Sequence, residues 1–227
     1  MSDRTLLITG GSTGIGAATA RKAAEAGWKV ALVARSSDKL SALVDEIGSD
    51  RAAAFVCDVT KEVEVERAVA QAAEFGSLEA VFANAGLGST KPGVEGGDPA
   101  NWRTMLDVNV WGVLLTAHYA LPHLRKAGGH MVITGSNAGR RTVKGSIYSA
   151  TKWFVHGFAR NLAEEMAEWG GRCTLIAPGL VDTPFFDSPK PDGLDPEAVA
   201  DAVVYALSQP GGVSVGEILV TPLDAPS

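Results

Sequence analysis

Short apolar runs and helix-patterned segments alternate along this chain from one end to the other, and that alternation limits the fold more than any other feature. "TLLIT" stops at glycines and gives way to the Ala-rich "GIGAATARKAAEAG". "KVALVA" is followed by "SSDKLSALVDEIG", and "AAAFVC" by "TKEVEVERAVAQAAEF". "LEAVFAN" precedes one long helical segment, "NWRTMLDVNVWGVLLTAHYALPHLRKAG", and then "HMVITG". A helix over roughly 146–169 leads to "CTLIAPG"; a helix "DPEAVADAVVYALSQ" and a strand "EILVTP" close the chain. Runs dense in Val, Ile and Leu without polar alternation are strands buried on both faces, as in a parallel sheet. Strand and helix in succession make right-handed crossovers, which predict a doubly wound α/β sheet of about seven strands with helices on both faces. No linker, repeat or low-complexity tract interrupts the 227 residues, so residues 1–227 read as a single domain.

Composition excludes several functions. Hydrophobic residues are 46% and charged residues 20%, which is a globular balance. A net charge of -6 with no Lys/Arg block argues against nucleic acid as a partner. The two cysteines, Cys57 and Cys173, lie in apolar runs and read as reduced core residues. His118, His123, His130 and His156 lack ligand spacing, so no metal is expected. The N-terminal apolar run is too short for a signal peptide, and polar residues interrupt every candidate membrane span. The expectation is a soluble, cytoplasmic protein without a membrane partner.

In doubly wound sheets ligands bind beyond the carboxyl ends of the strands. The first strand runs directly into "TGGSTGIG", residues 9–16. Gly10, Gly14 and Gly16 suit a turn where the backbone approaches a pyrophosphate and then opens a helix, whose unpaired N–H groups and dipole favour an anion. Further on stands "YSATK", Tyr148 to Lys152, in a helical stretch where residues at i and i+4 share a face. A fixed positive charge beside a phenol would lower its pKa from about 10 and fit it for proton transfer.

The G-x-x-x-G-x-G turn with "YSATK" downstream resembles the short-chain dehydrogenase/reductase family, a Rossmann-type fold. The resemblance spans essentially the whole chain, because "NAG" (Asn84, Ala85, Gly86), Asn109 in "LDVNVWG", Ser136 in "ITGSNAG" and "PGLVDT" follow in the family's order. Gly135 stands where the family usually has the first of two serines, Ala83 precedes Asn84 where a second asparagine is common, and the loop 139–147 is trimmed. The resemblance implies an NADP(H)-dependent enzyme interconverting a carbonyl and a secondary alcohol. Tyr148 would be its acid/base, Lys152 its electrostatic partner, Ser136 the group polarising the substrate oxygen, and Asn109 the holder of a water linking Lys152 to solvent. The cofactor would lie on Gly10, Ser12, Thr13, Gly14, Ile15 and Gly16, on Asn84, Ala85 and Gly86, and on Tyr148 and Lys152. Pro178, Gly179, Val181 and Thr183 would meet its nicotinamide end, and Asp58 with Val59 its adenine. For Asp58 a helix N-cap is an equal reading.

The second strand ends "VALVARSS", with Ala34 where NAD-binding folds carry an acid, and Arg35 and Ser36 beside it. Arg35 can meet a 2′-phosphate with charge-assisted hydrogen bonds, so NADP is expected over NAD. Arg140 and Arg141 read either as substrate-carboxylate contacts or as plain surface. Phe185 and Phe186 read as an apolar wall or as oligomer packing. Trp111 and Trp153, on helices that pair subunits in the family, read as core or interface of a homo-oligomer, a tetramer or dimer. Two other functions remain: a non-catalytic NADP-binding regulator, which has no need of Ser136, Tyr148 and Lys152 together, and a nucleotide-sugar epimerase or dehydratase, which typically carries a larger C-terminal region.

Overall fold

The apolar runs become seven strands: β1 (Arg4–Thr9), β2 (Lys29–Ala34), β3 (Ala52–Val56), β4 (Ser77–Ala83), β5 (His130–Thr134), β6 (Arg172–Pro178) and β7 (Glu217–Val220). They are the strands of a computed structural model that describes residues 3–223. All pair in parallel, in the order β3-β2-β1-β4-β5-β6-β7. The order reverses at β1, so a crevice opens between the carboxyl ends of β1 and β4.

Helices cover both faces. On one lie α3 (Glu62–Phe75), α5 (Gly112–Ala127) and α6 (Ile147–Ala167), packed on Leu7, Val81, Met131 and Leu175. On the other lie α1 (Gly14–Glu25), α2 (Ser37–Ile47) and α7 (Pro196–Ser208), packed on Leu6, Ile8, Phe82 and Ile176. Neighbouring residues of one strand, such as Leu6 and Leu7, therefore belong to different cores. This is the physical reason the strands lack polar alternation.

The long helical segment is not one uniform helix. It comprises α4 (Pro99–Leu106), a π-helical turn over Asp107–Trp111, and α5. Asp98 caps α4 by accepting from the Ala100 N–H at 3.0 Å, with Pro99 at the first helical position. Gly128 ends α5 in the left-handed region (φ 61°). The wider π turn is what sequence periodicity cannot show. It buries Asn109, whose amide bonds a loop residue and a residue of α6 instead of water.

Candidate active site

The carboxyl ends of β1, β4, β5 and β6 open into one cleft of about 480 Å³, and the glycine turn forms its first wall. Gly10 and Gly14 have φ of 64° and 52°, a region costly to other residues. Gly16 is constrained by space: a Cβ there would lie 2.2 Å from the Gly10 carbonyl oxygen and 2.9 Å from Asn84 Nδ2. Asn84 explains that crowding. Its Nδ2 donates to the carbonyls of Thr9 (3.2 Å) and Gly10 (3.3 Å), and its Oδ1 accepts from Thr134 Oγ1 (3.1 Å). One side chain thus stitches the ends of β1, β4 and β5 together. Ser12, Thr13, Ile15, Ala85 and Gly86 line the same wall.

Ser136, Tyr148 and Lys152 meet on the floor. Ser136 follows β5, and its Oγ accepts from the Ala138 N–H at 3.1 Å. Tyr148 and Lys152 share one face of α6, with Lys152 Nζ 5.8 Å from the phenol ring centroid. Lys152 is buried and donates to the Thr134 carbonyl at 2.8 Å; loss of hydration pushes its pKa down to about 8. Burial raises the Tyr148 phenol above its ordinary value, and a hydrogen bond with the Ser136 side chain pulls it the other way. The expected lowering of Tyr148 by Lys152 is therefore corrected. Desolvation dominates the phenol, while the ammonium is directed at a backbone carbonyl.

Asn109 stands behind this group. Its Nδ2 donates to the Leu87 carbonyl (2.9 Å) and Thr151 Oγ1 (3.1 Å), and its Oδ1 accepts from the Leu87 N–H (2.9 Å). Both amide protons are used, leaving one lone pair of Oδ1. The side chain clamps the loop after β4 to α6.

At the far end, Arg35 and Ser36 line the cleft as expected, with no carboxylate at Ala34. Lys39, in the first turn of α2, joins them. Sequence reading passed over it; the available signal was its place one turn beyond Arg35 on the helix that opens at this strand end. Asp58 and Val59 also line the cleft. The N-cap reading of Asp58 is corrected, because Lys61 precedes α3 and Asp58 Oδ1 instead accepts from the Thr60 N–H and hydroxyl.

Pro178, Gly179, Val181 and Thr183 form the opposite wall. The Thr183 side chain sits against Gly14, where a Cβ would come within 3.1 Å. Pairing of Leu180 and Asp182 with Leu194 closes the base of the loop 183–193. From this loop Phe185 packs beside Tyr148 (centroids 5.8 Å apart) and meets Phe186 edge-on at 5.0 Å. Both rings border the cleft, which supports the apolar-wall reading. Arg140 faces elsewhere: it pairs with Glu217 of β7. The Arg141 carbonyl accepts from the Trp153 indole at 3.4 Å. Neither arginine lines the cleft. Trp111 and Trp153 are 47% and 52% exposed, so the core reading of both is corrected. Cys57 and Cys173 are buried, unpaired thiols that burial pushes up to about 12.

The cleft thus has a glycine turn as one wall and a serine–tyrosine–lysine group on its floor. The short chain dehydrogenase family model matches residues 4–192. An oxidoreductase of Staphylococcus aureus, itself uncharacterized, is 38% identical over 230 residues, covering 98% of this chain and 99% of that one. Among solved structures, an alcohol dehydrogenase from the archaeon Thermococcus sibiricus, complexed with 5-hydroxy-NADP, has a TM-score of 0.92 at 32% identity, covering 99% of this chain and 98% of that one. A 3-ketoacyl-(acyl-carrier-protein) reductase from Brucella melitensis, complexed with NADH, has a TM-score of 0.90 at 29% identity and covers 98% of both chains. The chain belongs to the short-chain dehydrogenase/reductase family and is an oxidoreductase of that family.

Burial of Lys152 has a measurable consequence for stability. Its folded pKa of about 8 lies below the ordinary 10.5. Below pH 8 the amine is charged in both folded and unfolded chains, and the folded state carries the full desolvation penalty. Between pH 8 and 10.5 the unfolded chain holds the extra proton, so stability rises as the penalty is released. Lys152→Met is expected to be more stable than wild type at pH 7, by ~1–3 kcal/mol, with the gap closing between pH 8 and 10.5. Denaturant midpoints across that range check it; a gap that stays constant with pH contradicts the burial of a charged amine.

Proposed function

We propose that the protein is an NADP(H)-dependent oxidoreductase that interconverts a carbonyl and a secondary alcohol. The observation that carries this reading is the meeting of Ser136, Tyr148 and Lys152 at one end of a cleft whose other end holds Arg35, Ser36 and Lys39. The cleft suits an extended dinucleotide, because Gly10, Gly14, Gly86 and Gly179 leave bare backbone along its walls. Gly10, Ser12, Thr13, Gly14, Ile15 and Gly16 would hold the pyrophosphate region. Asp58, Val59, Asn84, Ala85 and Gly86 would flank the adenosine and central part, and Pro178, Gly179, Val181 and Thr183 the nicotinamide. When bound, that ring supplies or accepts the hydride.

The chain's own groups do the rest. The Ser136 hydroxyl hydrogen-bonds the substrate oxygen and orients the carbonyl. The Tyr148 phenol gives its proton to that oxygen during reduction and takes it back during oxidation. A phenol raised by burial stays in its donor form through the neutral range, the form that carbonyl reduction uses. Lys152, charged at neutral pH, would hold ribose hydroxyls, and the remaining lone pair of Asn109 Oδ1 can accept a water on the route from Lys152 to solvent. Phe185 and Phe186 give the substrate an apolar wall. No helix among the described residues is long and apolar enough to cross a membrane, and buried free thiols suit the reducing cytoplasm.

The relatives do not decide the cofactor, since one was solved with 5-hydroxy-NADP and another with NADH. Preference for NADP rests on this chain's second strand end. Arg35 and Lys39 offer two cations to a 2′-phosphate, and Ala34 stands where an NAD-binding fold would carry an acid. Trp111 and Trp153, with Phe154 and Leu106, leave large apolar surface on α6 and the segment around the π turn. That surface supports a homo-oligomer, a tetramer or dimer, built through these helices.

A panel of ketones, aldehydes and alcohols, followed at the absorbance of reduced cofactor, tests the activity. Tight cofactor binding without turnover across the panel would overturn it in favour of a regulator. In the same assay Tyr148→Phe should lose ~10²–10⁴-fold in kcat while binding cofactor normally; retention of more than about a tenth of the rate rejects the assignment of Tyr148. Arg35→Ala should weaken NADPH roughly ten- to a hundredfold and leave NADH nearly unchanged, because charge-assisted hydrogen bonds are worth ~1.5–3 kcal/mol. Equal use of both cofactors by the wild type refutes that preference. Light scattering at micromolar concentration should show an oligomer that Trp111→Glu or Trp153→Glu dissociates; a wild-type monomer would exclude it.

A further inference from the structure

His156 lies two turns along α6 from Tyr148 and is 3% exposed. Its Nε2 accepts the backbone N–H of Ser136 at 3.3 Å. The space it occupies is made by two glycines. A Cβ at Gly135 would fall 2.6 Å from His156 Nε2, and one at Gly139 would fall 2.8 Å from the same atom. The other polar groups of Ser136 are held too: its carbonyl accepts from the Gly139 N–H at 2.9 Å and its Oγ from the Ala138 N–H at 3.1 Å.

Because Nε2 accepts a proton-bearing N–H, the neutral ring carries its own hydrogen on Nδ1. That nitrogen faces Glu217 Oε1 at 3.9 Å, beyond hydrogen-bond reach but close enough for the carboxylate to favour a proton there. Glu217 is fixed in turn by Arg140, which follows the Ser136 turn, and by Arg160 of α6 at 3.7 Å. We propose that His156 is a positioning residue for Ser136, its Nδ1-protonated imidazole fixing the serine backbone while Glu217 of β7 selects that tautomer. This rests on the reading of Ser136 as the group that holds the substrate oxygen.

Protonation of His156 would turn Nε2 into a donor facing another donor and release the Ser136 backbone. The charged groups facing the ring are Glu217 from β7, Arg140 from the turn after Ser136 and Arg160 from α6, with Lys152 one turn earlier on the same helix. Burial lowers the ring's pKa and the two arginines reinforce it, while Glu217 and the Ser136 backbone oppose it, and the net shift is downward. Rate should therefore fall on the acid side as the ring becomes charged.

The test compares wild type, His156→Ala and His156→Gln, whose amide oxygen can accept from Ser136 without titrating. His156→Ala is expected to lower kcat roughly three- to tenfold, the worth of one hydrogen bond, with NADPH binding unchanged. His156→Gln should recover most of that loss and lack the acid limb of the wild-type profile. Gly135→Ser, which crowds the ring, should lower kcat alone but have little further effect in the His156→Ala background. Nitrogen-15 spectra of wild type should show Nε2 unprotonated at neutral pH and the Ser136 amide titrating with the His156 ring. Wild-type kcat in His156→Ala, no recovery in His156→Gln, or a Ser136 amide indifferent to the ring's titration each overturns the proposal. If wild type turns over no substrate, the functional reading fails while the spectra still decide the role of His156.

Discussion

The parallel pairing of β1 with β4 sets everything that follows in this molecule. Strand order runs outward in both directions from that pair, so no crossover helix covers the gap between their carboxyl ends. Asn84 holds the gap at a fixed width through the Thr9 and Gly10 carbonyls and the Thr134 hydroxyl. Gly16 packs against that same amide nitrogen, so the turn, the asparagine and three strands form one rigid unit. Such rigidity matters because a site that acts through position and electrostatics gains only if its groups need not reorganise.

Desolvation is the second governing force. The strands between the two edges, β1, β2, β4, β5 and β6, are buried on both faces, and α6 lies against the sheet with Lys152 and His156 turned inward. Burial pushes Lys152 down to about 8, raises Tyr148 and lowers His156, and each shift favours the neutral form of its group. Folding stability is spent to hold a charged amine there at neutral pH. Backbone groups compensate in part: Lys152 is satisfied by the Thr134 carbonyl, and His156 by the Ser136 N–H.

Much of this was legible in the chain. The apolar runs became strands with bounds close to those read from composition, because burial on both faces leaves a dense hydrophobic signature. Each motif residue expected at the cofactor and substrate ends lines the cleft except Gly16 and Asn109, which lie behind its wall and shape it from there. Lys39 was passed over because a lysine on a helix is ordinarily a solvated charge, and only the closeness of α2 to the second strand end brings it to the cleft. Arg140 was open to two readings until Glu217, far along the chain, supplied its partner.

The sequence by itself determined the doubly wound architecture, the glycine turn and the tyrosine–lysine pair one helical turn apart. These depend on backbone periodicity and on residues within a few positions of one another. Tertiary structure decided the π turn that buries Asn109, the direction of the Tyr148 shift and the placing of His156 behind Ser136. Each of those depends on dehydration and on contacts between segments distant in the chain. Local pattern carries no record of how much water a folded site excludes, so the directions of the pKa shifts on the floor were set only when α6 closed onto the sheet.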